Sequence, residues 1–330
     1  HSFEEAGARV LAAAAAGGAV AWIRNTVDDC LRAASWLRGQ RAVPIVFHAR
    51  FAQGDRQERE GEVLRRFGPA LDSPGRAGNI VVATQVIEQS LDLDFDAMVT
   101  DLAPMDLVIQ RAGRFRRHAG RSRPAGVPEE LVVFCPDVAG SPGDDWLAGG
   151  FGGTKAVYED PLVLWRTARL LAEHQELRVP EGLRELVEST YAETTVYDAE
   201  LSEGLRQRSD KALAARFGDA STAHGWVLPL ARGYTGDFQA WLNDTRVPTR
   251  LGDPQTTLRL ARLEGGRVRP WVTQEEEWRG WALSEVKVRA WKVPSDAEPG
   301  PRFGKVIAAA RDGWGEYEQD IPVLVLEPRD

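Results

Sequence analysis

Cysteine is nearly missing from this chain of 330 residues: Cys30 and Cys135 stand far apart and in no metal-ligand spacing. That scarcity leaves no disulfide framework and suits a reducing, cytoplasmic compartment. Long apolar runs are missing too. The stretch VLAAAAAGGAVAW (10–22) is alanine- and glycine-rich and too short to cross a bilayer, so no membrane partner is expected. It lacks the basic leader and initiator methionine of a signal peptide, and an opening of HSFEE reads as the interior of a longer protein. No GxxxxGK[ST] loop occurs, and no DExH or DExD box stands on a strand. The five histidines (His1, His48, His118, His174 and His224) are scattered, so no metal site is expected. Cationic charge is in deficit, 41 Lys and Arg against 49 Asp and Glu. A polyanion site must therefore be a local patch rather than the whole surface.

What is present is enough apolar content, 43%, for real cores, and enough length for two or three domains. The first part alternates as a parallel α/β domain does. Buried strands are expected in AVAWIRN, VPIVFHARF, NIVVATQ, DAMVTDL and ELVVFCP, with helices in FEEAGARVLAAAAAG, TVDDCLRAASWLRG, DRQEREGEVLRRFG and DLVIQRAG. A doubly wound sheet of this kind binds ligands at its strand carboxyl ends. SPGDDWLAGGFGGTK (141–155) reads as loop. Helical periodicity follows from Val157 to about Arg216. Beyond Asp219, TTLRLARLEGGRVRPWV, SEVKVRAWKV and IPVLVLEP suggest a small β-rich domain. The expected division is 1–140, 141–255 and 256–330.

Three stretches carry chemistry. In VVATQVIEQSLDLDFD (81–96) a buried strand ends in Thr84, a turn presents Glu88, and Asp92 follows. A hydroxyl with backbone N–H groups at a strand end suits a phosphate, and a carboxylate beyond it suits a ribose hydroxyl. A strand followed by an acidic loop is the plainer account of that stretch alone. In IQRAGRFRRHAGRSR (109–123) six arginines and a histidine stand with no acidic residue. Arg114 and Arg117 are spaced to point to one side of a helical turn, and two forked guanidiniums so placed hold a γ-phosphate. A solvated basic face is the commoner outcome of an arginine run; Gln110 and Gly113 at fixed offsets weigh against it here. Arg116, His118, Arg121 and Arg123 are left over, and a solvated or DNA-flanking edge is expected for them. Asn25, Thr26, His48 and Arg50 follow apolar strands and are candidates for contact with a sugar–phosphate backbone. Ordinary helix capping by Asn25-Thr26 is the alternative.

Together, the spacing from ATQVIEQSLD (83–92) to QRAGRFRR (110–117) resembles motifs V and VI of superfamily 2 helicases, in their second RecA-like lobe. ATQVIEQSLDLDFDAMVTDLAPMDLVIQRAGRFRRH resembles the helicase–nuclease of type I CRISPR systems more closely, as does FHARFAQGDRQERE, where that family tends to have Ser at the position of Ala49. Generic helicases often have Gly at the position of Ser90. The likeness runs from about Ile23 to about Leu260 and is softer past the first domain.

The resemblance implies an α/β fold: a RecA-like parallel sheet with helices on both faces, a helical linker region and a small β-rich C-terminal domain. It implies that Arg114 and Arg117 are arginine fingers, and that Gln110 and Arg111 bridge to the other lobe's ATPase motif. Glu88 and Asp92 would line the nucleotide cleft, with Asp92 at the ATP ribose. Thr84, Gln85, Asn25, Thr26 and Arg50 would touch single-stranded DNA. ATP and Mg2+ would be shared with a first RecA-like lobe that this chain lacks, as it lacks the family's His-Asp nuclease domain. The chain alone is therefore expected to bind no cofactor, hydrolyse no ATP and cut no DNA. The implied partners are single-stranded DNA, the type I surveillance complex (Cascade), and the missing nuclease domain and lobe. Two other readings stand beside this one: a separate or processed lobe that only binds DNA or a partner protein, and the second lobe of an RNA helicase. Seven of the 11 tryptophans lie from Trp226 onward. Core filling is expected for most of them, with an interface for Trp278 or Trp281.

Overall fold

The computed structural model describes residues 2–70, 75–88, 91–225, 255–293 and 302–326. Ser90, Trp226 and Trp241 lie outside the described residues. The chain begins with α1 (Phe3–Ala15). The Ser2 hydroxyl accepts the Glu5 N–H at 3.1 Å, and the Glu5 carboxylate accepts the Ser2 N–H at 2.7 Å, a reciprocal cap that fixes the helix start. There follow β1 (Val20–Ile23), α2 (Val27–Gly39), β2 (Ile45–Phe47), α3 (Gln53–Phe67), β3 (Ile80–Ala83), a 3-10 turn (Gln85–Glu88), β4 (Ala97–Asp101), α4 (Met105–Ala112) and β5 (Leu131–Phe134).

The five strands are all parallel, in the order β2-β3-β1-β4-β5. Every residue of β1 to β4 is buried, as a sheet covered on both faces requires. Alternation along β1 shows the two layers. Val20 and Trp22 pack under Val10 and Ala13 of α1 and Ala34 and Leu37 of α2. Ala21 and Ile23 face Val63 and Phe67 of α3 with Leu93 and Phe95. The small residues of α1 permit close approach: a Cβ on Gly7 would fall 2.3 Å from the Trp36 ring. Emptying a fully buried position such as Phe67 to Ala would cost about 3–5 kcal/mol.

The helical layer comprises α5 (Gly152–Val157), α6 (Pro161–His174), α7 (Leu183–Tyr191) and α8 (Glu203–Gly225). It shares a core with the sheet domain, since Met105 of α4 packs with Trp165, Leu186 and Leu205. The Asp160 side chain caps α6, accepting from Leu162 N at 3.1 Å, with Pro161 in the first turn. Two expectations change here. The stretch 141–155 is not all loop, because α5 forms in it, and helix continues well past Arg216 in α8.

The terminal unit contains β6 (Gln255–Glu264), β7 (Arg267–Pro270), α9 (Glu277–Leu283), β8 (Glu285–Arg289), α10 (Gly304–Arg311) and β9 (Val323–Leu326). β6 pairs antiparallel with β7 and β8 and parallel with β9. Gly265 and Gly266, at φ +56° and +77°, make the tight turn between β6 and β7, where side-chain-bearing residues would be strained. Trp281 is buried in this core beside Trp314, with centroids 5.0 Å apart, so it fills a core rather than an interface, while Trp278 is exposed. The unit docks on α3, where the Trp271 indole N–H donates to Asp55 Oδ2 at 2.8 Å. Among the described residues, no helix is long and apolar enough to cross a membrane.

Candidate functional site

The strand carboxyl ends deliver Arg24 and Asn25 from β1, His48 from β2, Thr84 from β3 and Asp101 from β4. All five are buried. Asp101 organises this edge: it pairs with Arg24 Nε at 2.9 Å and accepts the Asn25 N–H at 2.9 Å. Burial pushes the Asp101 carboxyl up, against the pull of Arg24. Arg24 in turn lies over the Phe3, Trp22 and Phe134 rings.

Arg111, from α4, has no solvent exposure. Its Nε donates to Glu88 Oε1 at 2.6 Å. Its Nη1 donates to Thr100 Oγ1 at 2.7 Å and to the Asp101 carbonyl at 3.0 Å. Its Nη2 donates to Asn25 Oδ1 at 3.1 Å and to the Tyr158 hydroxyl at 3.2 Å. The expectation of Arg111 as a bridge to another lobe therefore changes. Its guanidinium is consumed inside this domain, where it holds Glu88, Asn25 and the end of β4 together. Asn25 changes in the same way. Its amide donates to the Leu102 carbonyl at 2.7 Å and to Thr154 Oγ1 at 2.9 Å, so the side chain faces inward.

Arg114 and Arg117 lie beyond the end of α4, not on it. Arg114 Nη2 donates to the Glu88 carbonyl at 2.9 Å, and Arg117 Nε pairs with Asp92 Oδ1 at 2.9 Å across a half-exposed surface. Burial and the neighbouring Arg117 charge both pull the Arg114 guanidinium down, with Asp92 and Glu88 opposing. Its Nε is buried with no hydrogen-bond partner. Two adjacent cations, one with an unsatisfied donor, form a place that an anion stabilises. Gln110 is exposed beside them. Glu88 is pushed up by burial, opposed by Arg111.

The rest of the arginine run departs from expectation. Arg121 and Arg123 form no solvated edge; they bind a buried acidic pair at the amino edge of the sheet. Asp94 is fully buried and meets Arg121 Nε at 2.6 Å and Arg123 Nη2 at 2.9 Å. Asp96 meets Arg123 Nη1 at 2.7 Å, Arg76 Nη2 at 2.9 Å and the Ala19 N–H at 2.8 Å. The reason is arithmetic: two buried carboxylates need cations, since an unpaired buried charge costs several kcal/mol. Arg116 is partly buried, donating to the Val127 carbonyl and to the exposed Glu129, both at 2.9 Å. His118 Nε2 stands 3.3 Å from Asp92.

The DNA-side candidates scatter along the same edge. Thr26 caps α2, its hydroxyl accepting from Asp29 N at 3.0 Å, which is the capping alternative. Gln85 Nε2 donates to the Asn25 carbonyl at 2.8 Å. Arg50 is half-buried and 3.5 Å from Asp28. His48 Nδ1 accepts the Arg50 N–H at 3.1 Å and its ring stacks on Phe51 at 4.2 Å. Burial and the Arg50 charge push the His48 imidazole down to about 4, so it is neutral at physiological pH. Sequence reasoning missed Thr154, Tyr158, Asp94 and Asp96. Asp94 and Asp96 alternate with apolar residues in the quoted stretch, a pattern that ordinarily turns charge outward, so it gave no signal of their burial; Thr154 and Tyr158 gave none either. Among the described residues, no three His, Cys, Asp or Glu side chains form a group that would hold a metal ion.

Residues 16–120 match the family model described as CRISPR-associated nuclease/helicase Cas3, C-terminal. The CRISPR-associated endonuclease/helicase Cas3 of Escherichia coli (strain K12) is 37% identical over 301 residues, 86% of this chain and 32% of that protein. The chain is similar to the C-terminal helicase portion of Cas3 proteins. It spans 32% of that relative's length, as part of the C-terminal helicase portion. The crystal structure of T. fusca Cas3-ATP superposes with TM-score 0.69 at 24% identity, covering 94% of this chain and 36% of that one. A chain of a CRISPR RNA-guided surveillance complex, pre-nicking, gives 0.64 at 25% identity, covering 93% and 37%. The Cas3 structures share the RecA-like sheet described above.

Proposed function

We propose that this chain supplies the second motor lobe and accessory region of an ATP-dependent single-stranded DNA translocase, which degrades invader DNA in type I CRISPR interference with a nuclease domain located elsewhere. One observation carries this: the neighbouring guanidiniums of Arg114 and Arg117, the first with a buried, unpartnered Nε, beside Glu88 and Asp92. A γ-phosphate and its Mg2+ would complete that charge set. Bound nucleotide supplies the hydrolysable phosphoanhydride. Arg114 and Arg117 stabilise charge on the transferring phosphoryl group, with Gln110 exposed alongside. Asp92 faces the ribose, and Arg111 holds Glu88 from inside. Thr84, Gln85, Thr26 and Arg50 flank the DNA backbone, with Asn25 supporting them from beneath.

The remaining phosphate machinery would come from a first RecA-like lobe, so the chain alone hydrolyses no ATP. The division at 140 and 255 separates motor lobe, helical linker and terminal domain. The partners are single-stranded DNA and the Cascade surveillance complex, in the cytoplasm. The test is Arg114→Ala in the full-length protein. ATPase is lost while DNA binding persists; ATPase at the wild-type rate refutes the reading.

A further inference from the structure

Gly152 to Tyr158, α5 and the residue after it, form a strap of the helical layer that lies against the carboxyl edge of the sheet. Three contacts seat it. At Gly153 the strap backbone is pressed on the start of α2: a Cβ there would fall 1.9 Å from Asp29 Oδ2 and 3.0 Å from Thr26 Cγ2. Thr154, 2% exposed, accepts the Asn25 amide at 2.9 Å. The Tyr158 hydroxyl accepts Arg111 Nη2 at 3.2 Å and also meets Gln85. Burial pushes the Tyr158 phenol up, with Arg111 opposing, so it stays neutral. The strap's far end is anchored as well, since Asp160 accepts Ser209 Oγ of α8 at 2.7 Å.

From Tyr158 a continuous line of polar contacts reaches the arginine site. The hydroxyl holds Arg111 at 3.2 Å, Arg111 holds the Glu88 carboxylate at 2.6 Å, and the Glu88 carbonyl holds Arg114 at 2.9 Å. We propose that Tyr158 is a positioning residue of the helical layer: its hydroxyl fixes Arg111 and, through Glu88, the setting of Arg114 during ATP turnover. The hydroxyl touches no substrate and acts as one of the five acceptors that set the Arg111 guanidinium. This rests on the reading of Arg114 as a phosphate ligand.

The experiment uses the full-length protein with saturating single-stranded DNA. Tyr158→Phe keeps the ring and removes only the hydroxyl. The expected result is a kcat for ATP hydrolysis reduced about tenfold, with KM for ATP and DNA affinity within about twofold. A residue acting through Glu88 cannot act twice, so in a Glu88→Gln background the same change costs less than about twofold. A merely structural tyrosine would cost the same factor in both backgrounds. Wild-type kcat in Tyr158→Phe, or an undiminished loss in the Glu88→Gln background, overturns the proposal. Arg114→Ala, run in parallel, separates the two ideas. If it retains ATPase, the site reading itself fails; if it abolishes ATPase while Tyr158→Phe turns over normally, only the role of Tyr158 falls.

Discussion

Arg114 and Arg121 belong to one arginine-rich run and meet opposite surroundings. Arg121 is buried against Asp94, with its Nη2 donating to the Gly68 and Ala70 carbonyls at 2.9 and 3.0 Å. Arg114 is partly open, has a repelling cation beside it and keeps an unused donor. The first guanidinium neutralises charge already present in the fold. The second, near Glu88 and Asp92 but with an unused donor, is the one proposed to meet a ligand phosphate. Like residue types a few positions apart thus divide into a structural set and a proposed ligand-directed set by the contacts they make, and the local sequence of arginines does not reveal which is which.

The largest test of that division is Arg114→Ala in the full-length protein. ATP hydrolysis should fall about 1,000-fold or more, the loss typical of an arginine finger. Chemical unfolding of the 330-residue chain with the same substitution should shift by no more than about 0.5 kcal/mol. A large stability loss would place Arg114 with the structural set. The mirror experiment is Asp94→Ala, which leaves Arg121 and Arg123 buried without their shared carboxylate. Urea unfolding should report a loss of about 3–5 kcal/mol. A loss under about 1 kcal/mol would mean that these guanidiniums escape to water and the two sets are not distinct.

The third test concerns His48, which is neutral in the fold and has its titration pushed down to about 4. Between its ordinary range near 6.5 and about 4, the unfolded chain binds a proton that the folded chain refuses. Stability contributed by this group is therefore full at neutral pH and declines as pH falls through that window, by roughly 3 kcal/mol. His48→Asn should flatten the stability-versus-pH slope between those limits; an equally steep slope would assign the acid sensitivity to other groups. The smallest effect is expected at the half-exposed Arg117–Asp92 pair. Asp92→Ala should move unfolding by less than about 1 kcal/mol, and a larger change would show that this pair is structural.

Much of the fold was legible because the strands of a sheet covered on both faces read as unbroken apolar runs. VAWI and IVVA could belong to little else, and each is a strand. Gly265-Gly266, inside TTLRLARLEGGRVRPWV, makes the turn between two strands for an equally local reason. α5 was not legible, since Gly152 and Gly153 open it and glycine disfavours helix; contact with Asp29 and Asn25 overrides that preference. The spacing of Glu88, Asp92 and Gln110 to Arg117 suggested where the proposed site lies, and the fold brings Glu88, Asp92, Arg114 and Arg117 near one another. Which arginines face inward could not be read from it, because that depends on carboxylates brought from Glu88, Asp94 and Asp96. Tyr158 is further still from view: a tyrosine at the edge of a helical stretch looks like packing until Arg111 is found beside it.

Arg116 sits between the two arginines of the site with φ +46°, a left-handed backbone that a side-chain-bearing residue adopts at a cost of about 1–2 kcal/mol. Just before it, on either side of Phe115, the chain is clamped to Phe95, through Phe95 N to the Arg114 carbonyl at 2.9 Å and Arg116 N to the Phe95 carbonyl at 2.8 Å. Between Arg111, fixed at one edge of the sheet, and Arg121, fixed at the other, the residues are therefore counted as well as chosen. Inserting or deleting one would move Arg114 and Arg117 off their side of the clamp while leaving every arginine in the sequence. Length, rather than composition, is what this run can least change.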